Sequence, residues 1–105
     1  MSYGLNEANQ SELERVFRRH PGVRSVLIFG SRARGDAKPG SDFDLAVRAP
    51  GMTDAEFARL WADVESLELI FKIDLLHFDR LPEGGLKNRI LSEGRPFFVE
   101  AKKTA

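Results

Sequence analysis

The stretch Phe29–Val47, FGSRARGDAKPGSDFDLAV, decides how the rest of the chain is read. An apolar run, Val26-Leu27-Ile28-Phe29, stops at Gly30-Ser31, passes through a basic, glycine-punctuated segment, and gives way to a second apolar run that carries Asp42 and Asp44. Side chains alternate across a strand, so Asp42 and Asp44 project to one face while Phe43, Leu45 and Val47 project to the other. Two carboxylates held side by side repel, and each raises the pKa of its neighbour. A hard divalent cation bound between them removes that conflict, and Mg²⁺ takes carboxylate oxygen while keeping positions open for phosphate. The spacing points to a metal site on a strand.

A third carboxylate extends the pattern. Ile70 to Phe78 is rich in β-branched and aromatic residues and predicts a central strand, with Asp74 interrupting it near the middle. An acid in an interior strand needs a partner, and a metal centre shared with Asp42 and Asp44 supplies one. On this strand Lys72, Asp74 and Leu76 fall on one face and Ile73, Leu75 and His77 on the other, so His77 reads as structural. Upstream, Gly30 and Ser31 sit where a strand turns into a short helix or turn. Gly30 lets backbone approach a phosphate, Ser31 offers a hydroxyl and an N–H, and Arg32 and Arg34 lie nearby to offset phosphate charge.

Gly30-Ser31, Arg34-Gly35, Ser41-Asp42-Phe43-Asp44-Leu45 and the later Asp74 together resemble the minimal nucleotidyltransferases of the DNA polymerase β-like superfamily, whose pattern is a Gly-Ser, a spacer, an Asp-x-Asp and a distant third acid. Asp-x-Asp alone is a weak signal; the combination is specific, and the resemblance runs from Val23 to Glu100. It implies a small α/β (α+β) fold, a mixed sheet with helices packed on one face and the three carboxylates on the other, like a polymerase palm. It also implies a pair of Mg²⁺ ions held by Asp42, Asp44 and Asp74, with Asp74 as general base, and a triphosphate gripped by Gly30 and Ser31 with Arg32 or Arg34. The reaction implied is transfer of a nucleoside monophosphate, AMP from ATP, to an acceptor hydroxyl. Free-standing proteins of this kind stand beside helical HEPN-domain toxins as antitoxins that add AMP to a tyrosine of the partner. The resemblance implies the same partner here. Larger relatives cover the site with a second domain, so the missing wall is expected from the partner or from a second copy.

Composition sets the outer bounds. The chain has 105 residues, enough for one domain spanning 1–105, with 1–10 and 101–105 expected to fray. It is 42% hydrophobic and 30% charged, as globular domains are. No apolar run approaches the roughly 20 residues needed to span a bilayer. No signal peptide is visible at the N-terminus, and there is no Cys for disulfides or thiolate-bound zinc; the cytoplasm is the expected compartment. Sixteen basic and sixteen acidic residues balance, which argues against an extended nucleic-acid surface but leaves room for a local basic patch of Arg32, Arg34 and Lys38.

In chain order, Ser11 with Glu14 reads as the capping box of a first helix whose stripe is Leu13, Val16 and Phe17, ended by His20-Pro21-Gly22. Val23 to Phe29 is a strand buried on both faces. Ser31 to Asp36 is a short helix or turn, with Asp36 as a turn residue and Ser41 placed to orient Asp42. Thr53 and Glu56 cap a helix in which Phe57, Leu60, Trp61 and Val64 form the apolar stripe, Trp61 being read as core. Glu83 to Glu93 is a final helix with Leu86, Ile90 and Leu91 inward and Gly94 as its C-cap, followed by a short extended segment at Phe97 to Glu100.

Two readings compete with the enzyme. One is an interaction module that neutralises its partner by binding alone, against which the intact Asp42, Asp44, Asp74, Gly30 and Ser31 count, because a binding surface needs no carboxylate triad. The other is an adenylyltransferase for a small molecule such as an aminoglycoside, for which a second domain is expected.

Overall fold

The structure, a computed structural model, describes residues 5–38 and 40–100. Helix α1 (Glu7–Arg19) leads into strand β1 (Ser25–Phe29), one-turn helix α2 (Ser31–Arg34), strand β2 (Phe43–Arg48), helix α3 (Asp54–Glu65), strand β3 (Ile73–His77), a 3-10 turn (Phe78–Arg80), helix α4 (Gly85–Glu93) and strand β4 (Arg95–Val99). The four strands form one mixed sheet in the order β3-β2-β1-β4. β1 is antiparallel to both β2 and β4, whereas β2 and β3 run parallel. A parallel pair needs a crossover, and α3 provides it.

The period-two pattern of the strands sorts the core into two layers. Val26, Ile28, Phe43, Leu45, Val47, Ile73 and Leu75 pack with Leu13, Val16 and Phe17 of α1 and with Leu60 and Val64 of α3 in the main core. The alternate residues Phe29 and Ala46 pack with Phe78 and with Ile90 of α4 in a smaller one. The two long helices therefore share one face as expected, and α4 adds cover on the opposite, carboxylate-bearing face. Ile90 is the buried residue of α4, while Leu86 and Leu91, expected to point inward, are 46% and 57% exposed. A helix lying on a sheet by one edge buries a narrow stripe, which here is a single position wide.

Several boundaries differ from the sequence reading. α1 starts at Glu7, with Asn6 as N-cap accepting from the Asn9 N–H at 2.8 Å, so the Ser11 capping box does not form. Leu5 is 3% exposed, which places residues 5–10 in the folded unit rather than in a frayed end. The rest of the expected frayed ends, 1–4 and 101–105, lies outside the described residues. The Thr53–Glu56 capping box is present as expected, and the Thr53 N–H and hydroxyl hold the Glu56 carboxyl below its usual range. β3 is an edge strand of five residues rather than a long central one, because Leu69 to Lys72 form the turn that brings the crossover back to the sheet. Gly94 does end α4, but in an extended conformation; a Cβ there would collide with the Ile90 carbonyl oxygen, so close approach rather than a left-handed turn requires glycine.

His20 and His77 both have structural partners. His20 Nε2 lies 2.7 Å from Asp63 Oδ2 and ties the end of α1 to α3. His77 is buried, with Nε2 2.8 Å from the Ala49 carbonyl oxygen and its ring stacked on Phe57. Trp61 packs edge-on against Phe57 at the rim of the main core.

Candidate active site

The site is assembled where β1 ends and β2 and β3 begin. Antiparallel pairing sets Phe29, the last residue of β1, opposite Asp44, so the chain reverses direction at Gly30 directly beside that carboxylate. Parallel pairing of β2 with β3 sets Asp44 opposite Asp74. Two residues separated by thirty positions in sequence thus become direct cross-strand neighbours on one face. Asp42 lies one residue before β2, exposed, on the same side as Asp44 by alternation.

The electrostatics follow from this packing. Asp44 is half-buried, and its carboxyl is pushed above the usual aspartate range, first by burial, then by the charge of Asp74 and then by that of Asp42. Asp44 thus feels the charge of both other acids. Lys72 offers partial relief, its Nζ 3.7 Å from Asp74 Oδ1, but its side chain is 70% exposed and such a pair contributes little. Among the described residues, no three or more His, Cys, Asp or Glu side chains are grouped so that they could hold a metal ion. A Mg²⁺ site shared with a nucleotide needs no such group, because one or two carboxylates suffice when phosphate oxygens complete the shell. The all-oxygen donor set and the unrelieved charge at Asp44 fit a hard cation.

A stability consequence can be measured. A carboxyl whose folded pKa is raised holds its proton longer in the folded chain than in the unfolded one, so without divalent metal stability falls as pH rises from the ordinary aspartate value through the raised one. Asp44→Asn removes this slope. Thermal melts in a metal chelator should show the variant melting above the wild type at neutral pH, the gap closing as pH falls to the ordinary aspartate range. A variant that melts below the wild type at neutral pH would contradict the coupling.

Beside Asp44 the chain makes a tight turn. Gly30 has φ 76 and ψ −156, a region open essentially to glycine alone. A Cβ built on it would lie 2.7 Å from Asp44 Oδ2. Its carbonyl accepts from the Ala33 and Arg34 N–H groups, and that of Ser31 accepts from Gly35 and Asp36, which closes the single turn of α2. Ser31 is half-buried at the first position of this turn.

The two arginines expected beside the phosphates have partners within the chain. Arg32 donates from Nη2 to the Ser41 carbonyl at 2.9 Å, and its guanidinium lies 4.2 Å from the centre of the Phe43 ring. It braces the loop between α2 and β2 from beneath. Arg34 is exposed and held by Asp36 at 3.2 Å and by Glu93 of α4 at 3.4 Å, pairings that keep it firmly protonated, Asp36 more than Glu93. The Ser41 hydroxyl accepts from the Lys38 N–H at 3.1 Å instead of orienting Asp42. Sequence reading missed Glu93 and Asp79. The first is far from Arg34 in sequence and nothing marked it, and the second accepts from the Ala49 N–H at 2.6 Å and fixes the end of β2.

Residues 11–103 match the family described as polymerase beta, nucleotidyltransferase. The chain belongs to this family. A solved structure described as a minimal nucleotidyltransferase is 32% identical to this nucleotidyltransferase, with a TM-score of 0.67 over 91% of this chain and 96% of the other. Two toxin–antitoxin structures share the fold: one with AMP-PNP, 22% identical with a TM-score of 0.68 over 87% of this chain and 73% of the other. The second is a mutant of the MntA–HpeT pair, 20% identical with a TM-score of 0.66 over 90% of this chain and 74% of the other. No curated protein is significantly similar to the chain in sequence. No helix among the described residues is long and apolar enough to cross a membrane.

Proposed function

We propose that the chain, acting as one minimal domain in the cytoplasm, transfers AMP from ATP to a hydroxyl of a partner protein, and that the partner is a helical HEPN-type toxin silenced by the modification. The observation that carries this reading is the juxtaposition of Asp44 with Asp74 across β2 and β3, beside the Gly30 turn. Support for the partner comes from the two toxin–antitoxin relatives of the same fold; the MntA–HpeT structure is of a mutant in which two aspartates two positions apart are replaced by glutamate, the spacing of Asp42 and Asp44.

Asp42, Asp44 and Asp74 would hold Mg²⁺, which supplies charge neutralisation for the triphosphate and acidifies the attacking hydroxyl. The remaining work falls to the chain's own groups. The Gly30 backbone and the Ser31 N–H and hydroxyl hold the triphosphate against the end of β1, where the absence of a Cβ leaves room. Arg34, on the surface and held only by exposed ion pairs, can turn from Glu93 to the phosphates at little cost, whereas Arg32 keeps the loop in place. The acceptor oxygen attacks the α-phosphorus, its bond to the bridging oxygen breaks, and pyrophosphate leaves. Asp74, with its side chain 37% exposed, is open to the acceptor and takes the hydroxyl proton.

Incubation of the purified chain with a HEPN toxin and ATP labelled at the α-phosphate tests the proposal. The toxin should acquire one labelled AMP on a hydroxyl side chain. A tight complex without transferred label would establish neutralisation by binding alone.

A further inference from the structure

The two edges of the sheet are built differently. β4, on one edge, carries Pro96, and its pairing with β1 shifts register between Val26 and Leu27. Proline and irregular pairing are the usual means by which an edge is closed to further strands. β3, on the other edge, has neither: Ile73 to His77 contains no proline or glycine, and its register with β2 is unbroken. No further strand pairs with its outer side among the described residues. The edge without proline or register shift is also the one that carries Asp74.

A groove of about 390 Å³ opens at the start of this strand, lined by Val64, Leu67, Leu69 and Phe71, with Glu65 and Lys72 among its polar lining. Lys72 lines the groove and also lies 3.7 Å from Asp74, so groove and carboxylate are one side chain apart. Beside the groove Ile70 is 95% exposed, the most exposed large apolar residue among those described. Glu65 and Glu68, both exposed, have no ion-pair partner among the described residues.

We propose that the acceptor reaches the site as an extended segment of a partner protein that adds to the outer edge of β3 as a fifth strand. The proposal rests on the functional reading above and names the form of its acceptor. In such a pair the residue opposite Asp74 lies on the carboxylate face at a Cβ separation of about 4.5–5.5 Å, within reach of a hydroxyl side chain. Its two neighbours fall on the opposite face, the one beside Ile73 at the mouth of the groove that Ile73 also lines. Basic residues flanking the segment meet Glu65 and Glu68. The recognised pattern is a hydroxyl residue between apolar ones with basic ends. Main-chain hydrogen bonds supply affinity and the groove supplies register.

The probe is a dye-labelled heptapeptide, Lys-Gln-Val-Ser-Val-Gln-Lys, and its central-Tyr form, followed by fluorescence anisotropy with and without ATP and Mg²⁺. Two further peptides carry N-methyl groups on alternate residues, in the two complementary registers. Strand addition predicts that only one N-methylated register loses binding, since the other presents its methyl groups to solvent. Replacing the two valines of the peptide by Gln should weaken its binding by about tenfold, as loss of one buried apolar side chain does, and leave ATP binding by the protein unchanged. Equal binding of both methylated registers, an unaltered affinity of the Gln-substituted peptide, or no peptide binding to the wild type would each overturn the proposal. Loss of ATP binding with register-selective peptide binding intact would fall on the nucleotidyltransferase reading and not on the docking edge.

Discussion

Asp74→Asn is expected to lower AMP transfer by at least about a hundredfold, the usual value of a positioned general base, with nucleotide binding and partner binding retained. The substitution keeps the size and strand geometry of a residue that lies opposite Asp44 in an unbroken register, so β3 has no reason to move. It does remove the charge that would take the hydroxyl proton. The ion pair with Lys72 goes too, but at 3.7 Å to an exposed lysine its loss should not register in stability. Relief of the repulsion felt by Asp44 acts in the opposite direction and favours the folded chain. Single-turnover transfer of labelled AMP alongside a thermal melt separates the two effects. Unchanged transfer in a stable variant would remove Asp74 from the chemistry.

Gly30→Val should abolish triphosphate binding outright and lower stability as well. Two independent effects converge on this residue. Its backbone lies at φ 76, ψ −156, and a side chain forced into that region costs on the order of 1–3 kcal/mol. Its first carbon would lie 2.7 Å from Asp44 Oδ2, so the carboxylate must be displaced from the place where it faces Asp74. The far-ultraviolet circular dichroism spectrum should remain that of the wild type, because Gly30 belongs to no strand or long helix, while the denaturation midpoint falls. Ser31→Ala, which removes one hydroxyl from the same turn, should weaken binding modestly and leave the midpoint unchanged. If Gly30→Val binds ATP like the wild type, the phosphates are held elsewhere.

Much of this arrangement was legible because the chemistry is concentrated in short-range patterns. The alternation of Asp42, Phe43, Asp44 and Leu45 placed carboxylates on one face and core on the other, and the two buried layers follow that alternation residue by residue. The Gly30 turn was readable because a glycine between an apolar strand and a basic segment has few other uses. What escaped depends on distance in the chain. That β3 is an edge strand cannot be read from Ile73–His77, whose apolar character is the same in the middle of a sheet or at its margin. The exposure of Leu86 and Leu91 reflects a helix that touches the sheet along one edge only, a property of docking angle rather than of composition. Arg32 was expected at the phosphates because a basic residue two positions after Gly30 suits them. Its bond to the Ser41 carbonyl and its place over the Phe43 ring were not legible, because those groups approach it only once the loop has closed.

Under the proposed function, Asp42, Asp44 and Asp74 bind a nucleoside triphosphate through a divalent cation that phosphate oxygens help to hold. Calorimetric titration of a non-hydrolysable ATP analogue, with and without Mg²⁺, into the wild type, Asp42→Ala and Asp44→Ala measures it most directly. The wild type should bind tightly only with Mg²⁺, and each variant should lose that dependence, because the ligand that couples the cation to the protein is gone. Equal affinity and equal Mg²⁺ dependence in all three proteins would contradict the account.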